Sequence, residues 1–162
     1  MTKQQAALNR ILKRGGKFRS ELATPFNAKQ KIWFCSNVEI VGFNECPKGF
    51  QEPFGNDFYL DVDRLVVKRG KRVLFPTAEQ LRSELKVRGI RRGENCVIKN
   101  DNVAFNVWLF LDMLEALSKS VAYHDGNPRH PIYFESVEGV GQCYPIVLGP
   151  EFNGQIILME EK

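Results

Sequence analysis

The stretch that decides the fold is Val103-Ala104-Phe105-Asn106-Val107-Trp108-Leu109-Phe110-Leu111-Asp112-Met113-Leu114-Glu115-Ala116-Leu117-Ser118. Its apolar residues recur at helical spacing and wrap nearly the whole circumference, leaving a thin polar stripe of Asp112, Glu115 and Lys119. A helix that is apolar on almost every side belongs inside a core. The spacing therefore predicts a central helix over 103–118, capped by Asp101 or Asn102. The run is interrupted by Asn106, Asp112 and Glu115 and falls short of the roughly 20 apolar residues needed to span a bilayer. No membrane partner is expected.

Short segments surround it. Thr2 with Gln5 forms a capping-box pattern, and Gln4–Arg14 places Ala7, Leu8, Ile11 and Leu12 on one face, so an amphipathic helix is expected there, stopped by Gly15-Gly16. Lys31–Phe43 reads as strand around Ser36-Asn37, and Phe58–Val67 alternates like a half-buried strand. Lys68-Arg69-Gly70-Lys71 reads as a hairpin turn returning through Val73-Leu74-Phe75. Thr77 with Gln80 opens a second capped helix over Ala78–Arg88, and Asn95–Ile98 is a short strand. Val121–Tyr123, Ile132–Val137, Tyr144–Leu148 and Gln155–Met159 are further strands, with Gly139-Val140-Gly141 as a turn. Runs of strands mixed with a few helices give an α+β fold of short antiparallel strands around one buried helix. The expected division is a basic N-terminal helix and arm over 1–31 and one α+β domain over 32–162.

Charge is blocked along the chain. Residues 1–31 carry eight Lys/Arg and one Glu, and 64–92 carry ten Lys/Arg and two Glu. Residues 32–63 carry one Lys and six acids, and 93–162 carry four Lys/Arg and ten acids. Either the blocks neutralise one another across the surface, or the two basic segments converge into a field that attracts a polyanion. The candidate binding residues are Lys13, Arg14, Lys17, Arg19, Lys68, Arg69, Lys71, Arg72, Arg88, Arg91 and Arg92.

Catalytic signals are sparse. His124 and His130 share a Pro/Gly-rich turn, and Cys143 is the nearest thiol that such a base could activate. Gly-x-Ser-x-Gly is absent, and Gly139-Val140-Gly141 lacks the third glycine and following helix of a phosphate loop. Cys35, Cys46, Cys96 and Cys143 show no Cys-x-x-Cys spacing, so free thiols in a reducing compartment are expected, the cytoplasm or a virion. No apolar stretch follows the first basic residues, so no secretion signal is expected, and nothing calls for a metal or cofactor.

Two local likenesses overlap. Residues 66–98, through Val66-Val67-Lys68-Arg69-Gly70-Lys71-Arg72-Val73-Leu74-Phe75-Pro76, Leu81-Arg82, Leu85, Gly93 and Val97-Ile98, resemble the swapped-hairpin AbrB-type DNA-binding pattern, with a longer helix and Glu94 in place of the usual Asp. Residues 57–126, through Phe58–Asp63, Phe75–Leu81, Gly89-Ile90, Cys96-Val97-Ile98, Trp108-Leu109 and His124-Asp125-Gly126, resemble a rhodanese-like domain. The stretch Asn100–Phe105, where that family carries its catalytic cysteine, has none, so this resemblance implies no sulfur transfer. The two frames assign different structures to the same residues and exclude each other.

The expected function is a non-enzymatic binding or assembly protein acting through its basic surface and N-terminal arm. A protein partner or second copy is the expected ligand, as in a viral or nucleoprotein assembly or an inhibitor of a host protein. Nucleic acid held by the 68–72 hairpin is one alternative, and a small enzyme built on His124, His130 and Cys143 is the other.

Overall fold

The computed structural model describes residues 1–55, 60–101 and 103–160. Among them run α1 (Lys3–Phe18), a 3-10 turn (Ser20–Ala23), β1 (Phe26–Ala28), β2 (Lys31–Cys35), β3 (Glu39–Phe43) and α2 (Val62–Leu65). Then follow β4 (Lys71–Val73), α3 (Ala78–Val87), β5 (Cys96–Lys99), β6 (Ala104–Asn106), α4 (Val107–Ala116) and β7 (Val121–His124). β8 (Ile132–Glu135), β9 (Gly139–Cys143) and β10 (Gln155–Leu158) complete the chain. The strands form a seven-stranded sheet in the order β1-β2-β3-β9-β8-β7-β4 and a three-stranded sheet in the order β10-β5-β6. Every neighbouring pair is antiparallel except β10 with β5. The fold is α+β.

α4 is the element on which the rest packs. It touches β3 and β9 of the larger sheet, β5 and β6 of the smaller one, and both α1 and α3. Phe110 is fully buried with its ring 5.5 Å from Phe134, 5.9 Å from Phe75 and 5.8 Å from Phe105. Three of these ring pairs, Phe75–Phe110, Phe75–Phe134 and Phe110–Phe134, meet edge to face, the arrangement that ring quadrupoles favour.

Five local expectations need correction. The central helix begins at Val107 instead of Val103, because Ala104-Phe105-Asn106 pair with β5 and the Asn106 side chain accepts from the Trp108 and Leu109 amides as the N-cap. Of the two expected caps, Asn102 lies outside the described residues.

α1 runs straight through Gly15-Gly16. A Cβ on Gly15 would stand 2.1 Å from the Cys35 carbonyl oxygen, so this glycine lets the helix approach the end of β2 instead of ending it. Ala7, Leu8, Ile11 and Leu12 of α1 join the same core cluster as α4, so residues 1–31 and 32–162 share one interior.

Over the described residues 60–67 the expected strand and its hairpin do not form. Asp61 accepts from the Arg64 amide and caps the short α2 with Val62 buried, while β4 pairs with β7. Residues 58 and 59 of that expected strand lie outside the described ones.

Gly139–Cys143, expected to begin as a turn, is a central strand. A Cβ on Gly141 would stand 2.7 Å from the Met113 sulfur, so the glycine admits α4 against the sheet. Tyr144–Leu148, expected as strand, contributes only a bridge from Ile146 to Ala104.

Because Phe110 is enclosed by three other rings, Phe110→Ala should cost about 3–5 kcal/mol. Equilibrium urea unfolding followed by tryptophan fluorescence would measure it, and a loss below about 1 kcal/mol would show that α4 is not central to stability.

Candidate functional site

The polar stripe of α4 does not face water. Asp112 is fully buried, because α1 lies across that side of the helix. Two arginines one turn apart on α1 reach its carboxylate. Arg10 Nε donates to Oδ1 at 2.8 Å and Arg14 Nη2 donates to Oδ2 at 2.8 Å. Arg92, from the loop after α3, stands 3.6 Å from Oδ1, with its guanidinium over the Trp108 ring at 5.1 Å. Arg14 turns its Nε, at 2.7 Å, and its Nη2 to Oε1 of a second buried carboxyl, Glu39 on β3. Beside them, Arg82 of α3 pairs with Glu115 of α4 at 3.3 Å.

The acids are inside and the arginines reach out. Asp112 and Glu39 side chains have no exposure, whereas Arg10, Arg14 and Arg92 keep 30%, 28% and 43% of theirs. Lys3, Arg10, Lys13, Arg14 and Lys17 fall within about 100° of arc on α1. Lys13, Lys17, Arg91 and Arg92 are exposed. The arrangement is a cationic surface whose arginines are held in place by carboxylates beneath them.

Glu39 is electrostatically tense. Burial pushes its pKa up to about 7, against the pull of the Arg14 charge and hydrogen bond, and the nearby Asp112 charge pushes the same way as burial. Its Oε2 has no hydrogen-bond partner among the described residues. Burial also works against the Arg14 charge, but Glu39 and Asp112 outweigh it and its pKa rises. Burial, with Glu39 close by, lifts the Cys35 thiol to about 12, and burial pushes Cys143 well above the usual thiol range.

The expected binding residues separate into three places. Arg14 and Arg92 meet at Asp112, with Lys13, Lys17 and Arg91 exposed around them, and Arg19 sits at the exposed C-cap of α1. Lys68, Arg69, Lys71 and Arg72 lie on or before β4, the edge strand separated from β3 by three strands, or about 19 Å at 4.8 Å per spacing. Lys68 there pairs with Glu135 at 3.1 Å and caps the Tyr123 ring at 4.0 Å. Arg88 is occupied by Glu84 and by the Ile156 carbonyl of β10 at 2.8 Å. Sequence reasoning missed Arg10, Arg82 and the two organising acids. The available signal was the i, i+4 pair Arg10/Arg14 beside the apolar face of an amphipathic helix, matched by the acids Asp112 and Glu115 in a helix otherwise apolar.

The histidines and Cys143 do not meet. Cys143 is fully buried on β9, and His124 lies on β7 with β8 between them. His124 accepts from the Gly126 amide at Nδ1 (2.9 Å), which leaves Nε2 to donate to the His130 carbonyl (2.9 Å), so both ring nitrogens are engaged. His130 pairs with Asp125 at 2.5 Å. All four cysteines are free. Among the described residues no cluster of three or more His, Cys, Asp or Glu could hold a metal ion, and no helix is long and apolar enough to cross a membrane.

No family model, curated protein or solved structure matches the chain. The AbrB-type likeness does find its local order of strand, helix, turn and strand in β4, α3, residues 91–95 and β5, but β4 and β5 belong to different sheets. The part of the rhodanese-like likeness carried by Phe58–Asp63 falls partly outside the described residues and partly on α2.

Two outcomes follow for the buried pair. Between the ordinary carboxyl value of 4.5 and about 7, the folded chain keeps a proton on Glu39 that the unfolded chain has lost. Stability therefore falls as pH rises through that window, and Glu39→Gln should remove this component of the slope in urea midpoints. Arg14→Met leaves an unpaired buried carboxylate and should cost about 3–5 kcal/mol above neutral pH, and less below about pH 5. An equal loss at both pH values would show that Glu39 is not the group left exposed to that penalty.

Proposed function

We propose that the chain is a non-enzymatic binding protein whose ligand is the phosphate backbone of nucleic acid, held on the helical face formed by α1, α4 and the loop after α3. The observation that carries this reading is the convergence of Arg10, Arg14 and Arg92, from two separate basic segments, over one buried carboxylate while their outer edges stay in solvent. Four arginines and the lysines beside them exceed the three acids they touch, and those acids are almost wholly buried, so the face presents positive charge.

Guanidinium groups suit this task. They offer several fixed donors and bond phosphate oxygens in pairs, and an arginine already braced by a carboxylate loses less freedom on binding. The stripe Lys3–Lys17 spans about 21 Å along α1 at 1.5 Å per residue, which reaches several phosphates of a backbone. Contacts of this kind position a protein without reading sequence.

The assembly reading rests on another surface. Leu74 and Leu158 are exposed around a groove of about 430 Å3 between the end of β4, α3 and the edge strand β10. A protein partner or second copy seated there would raise the mass seen by size-exclusion with light scattering.

On the nucleic-acid reading, affinity for a short random-sequence DNA duplex should fall steeply with salt, by about 0.9 in log–log slope for each phosphate contact. The combined Lys13, Lys17 and Arg91→Ala variant leaves the buried pairs intact and should reduce that slope. If the combined Lys68, Arg69, Lys71 and Arg72→Ala variant weakens binding instead, the ligand sits on the β4 edge and the helical face is not the site.

A further inference from the structure

We infer that the arginine face is proton-linked: Glu39 takes up a proton when a phosphate backbone binds, because protonation releases Arg14 from its buried carboxylate and makes it available to the ligand. The inference rests on the reading above and names the regulation of the same site.

The geometry puts one arginine between two claims. Arg14 bonds Glu39 Oε1 and Asp112 Oδ2 at once, so its donors are divided between β3 and α4. Asp112 has a second full partner in Arg10 and a third in Arg92, and it stays paired if Arg14 turns outward. Glu39 has no such reserve. Apart from Arg14, its Oε1 has only the Ser36 hydroxyl at 3.3 Å, and Oε2 has no partner among the described residues. An ionised Glu39 must therefore hold Arg14, since an unpaired charge at full burial costs far more than a surface one. A neutral Glu39 need not.

Charged and titratable groups face this cluster from several elements, and the Arg82–Glu115 pair joins α3 to α4 beside it. α1 brings Arg10 and Arg14, α4 brings Asp112, the loop after α3 brings Arg92, and the end of β2 with the following turn brings Cys35 and Ser36. β9 brings Cys143. Burial lifts both thiols, so they stay neutral where the Glu39 carboxyl titrates. With Glu39 ionised, three arginines meet two carboxylates. With Glu39 neutral they meet one, and the face gains a full charge toward an approaching polyanion. Linkage is reciprocal, so a ligand that strengthens at low pH must itself draw a proton onto the site.

The test is fluorescence anisotropy with a short random-sequence DNA duplex at fixed ionic strength, from about pH 6 to about pH 8, where one linked proton weakens binding by up to tenfold per pH unit. Glu39→Gln should bind as tightly as the wild type does at the acid end and lose that slope. Calorimetry of the wild-type chain in two buffers of different ionisation heat counts the proton directly, which decides the matter if the variant does not fold. A wild-type complex that takes up no proton, or a Glu39→Gln chain that keeps the full slope, overturns the coupling while leaving the polyanion reading intact. Absence of DNA binding at every pH overturns both.

Discussion

Asp112 is a carboxylate on a helix that the fold places in its interior, and the rest of the structure is arranged to meet that charge. Left alone, such a group would cost several kcal/mol in the dry interior. α1 answers with Arg10 and Arg14, and its Ala7, Leu8, Ile11 and Leu12 then close over α4. The ionic contact and the apolar contact are thus one packing event. The Gln4 side chain, donating to the Ala116 carbonyl at 3.0 Å, fastens the start of α1 to the end of α4.

The same event shapes the surface. Arginines drawn inward by buried acids leave their outer edges in a fixed place, so the helical face carries ordered positive charge. The β4 edge has charges of similar number but different kind. There Lys68 is matched by a partly exposed Glu135, and Lys71 and Arg72 stand in water on an edge strand, where cations discourage pairing with other chains. The 68–72 cluster and the arginines of the helical face, alike in composition, therefore do different physical work.

Glycine at close approaches is the second constraint. Gly15 lets α1 meet the end of β2, Gly141 lets α4 meet β9, and a Cβ on Gly42 would stand 2.6 Å from the Trp33 ring. Gly15 looked from sequence like a stop and Gly141 like part of a turn, because a local reading weighs glycine's backbone freedom and cannot see the neighbour that fills the space of its missing side chain.

Sequence alone determined the elements whose cause is local. Both capping boxes, the α1 and α3 helices and the apolar character of the helix at α4 follow from spacing within one or two turns, and the α+β class follows from their order. The strand character of β2 and β3 was legible for the same reason, though not their separation into two antiparallel strands across Ser36-Asn37. Only the tertiary structure decided that Asp112 faces α1 and not water, that Glu39 lies beside it, and that Arg92 arrives from the loop after α3. Those placements depend on which helix face meets which neighbour, a long-range choice made by burying the most apolar surface, and no periodicity within a single segment carries it.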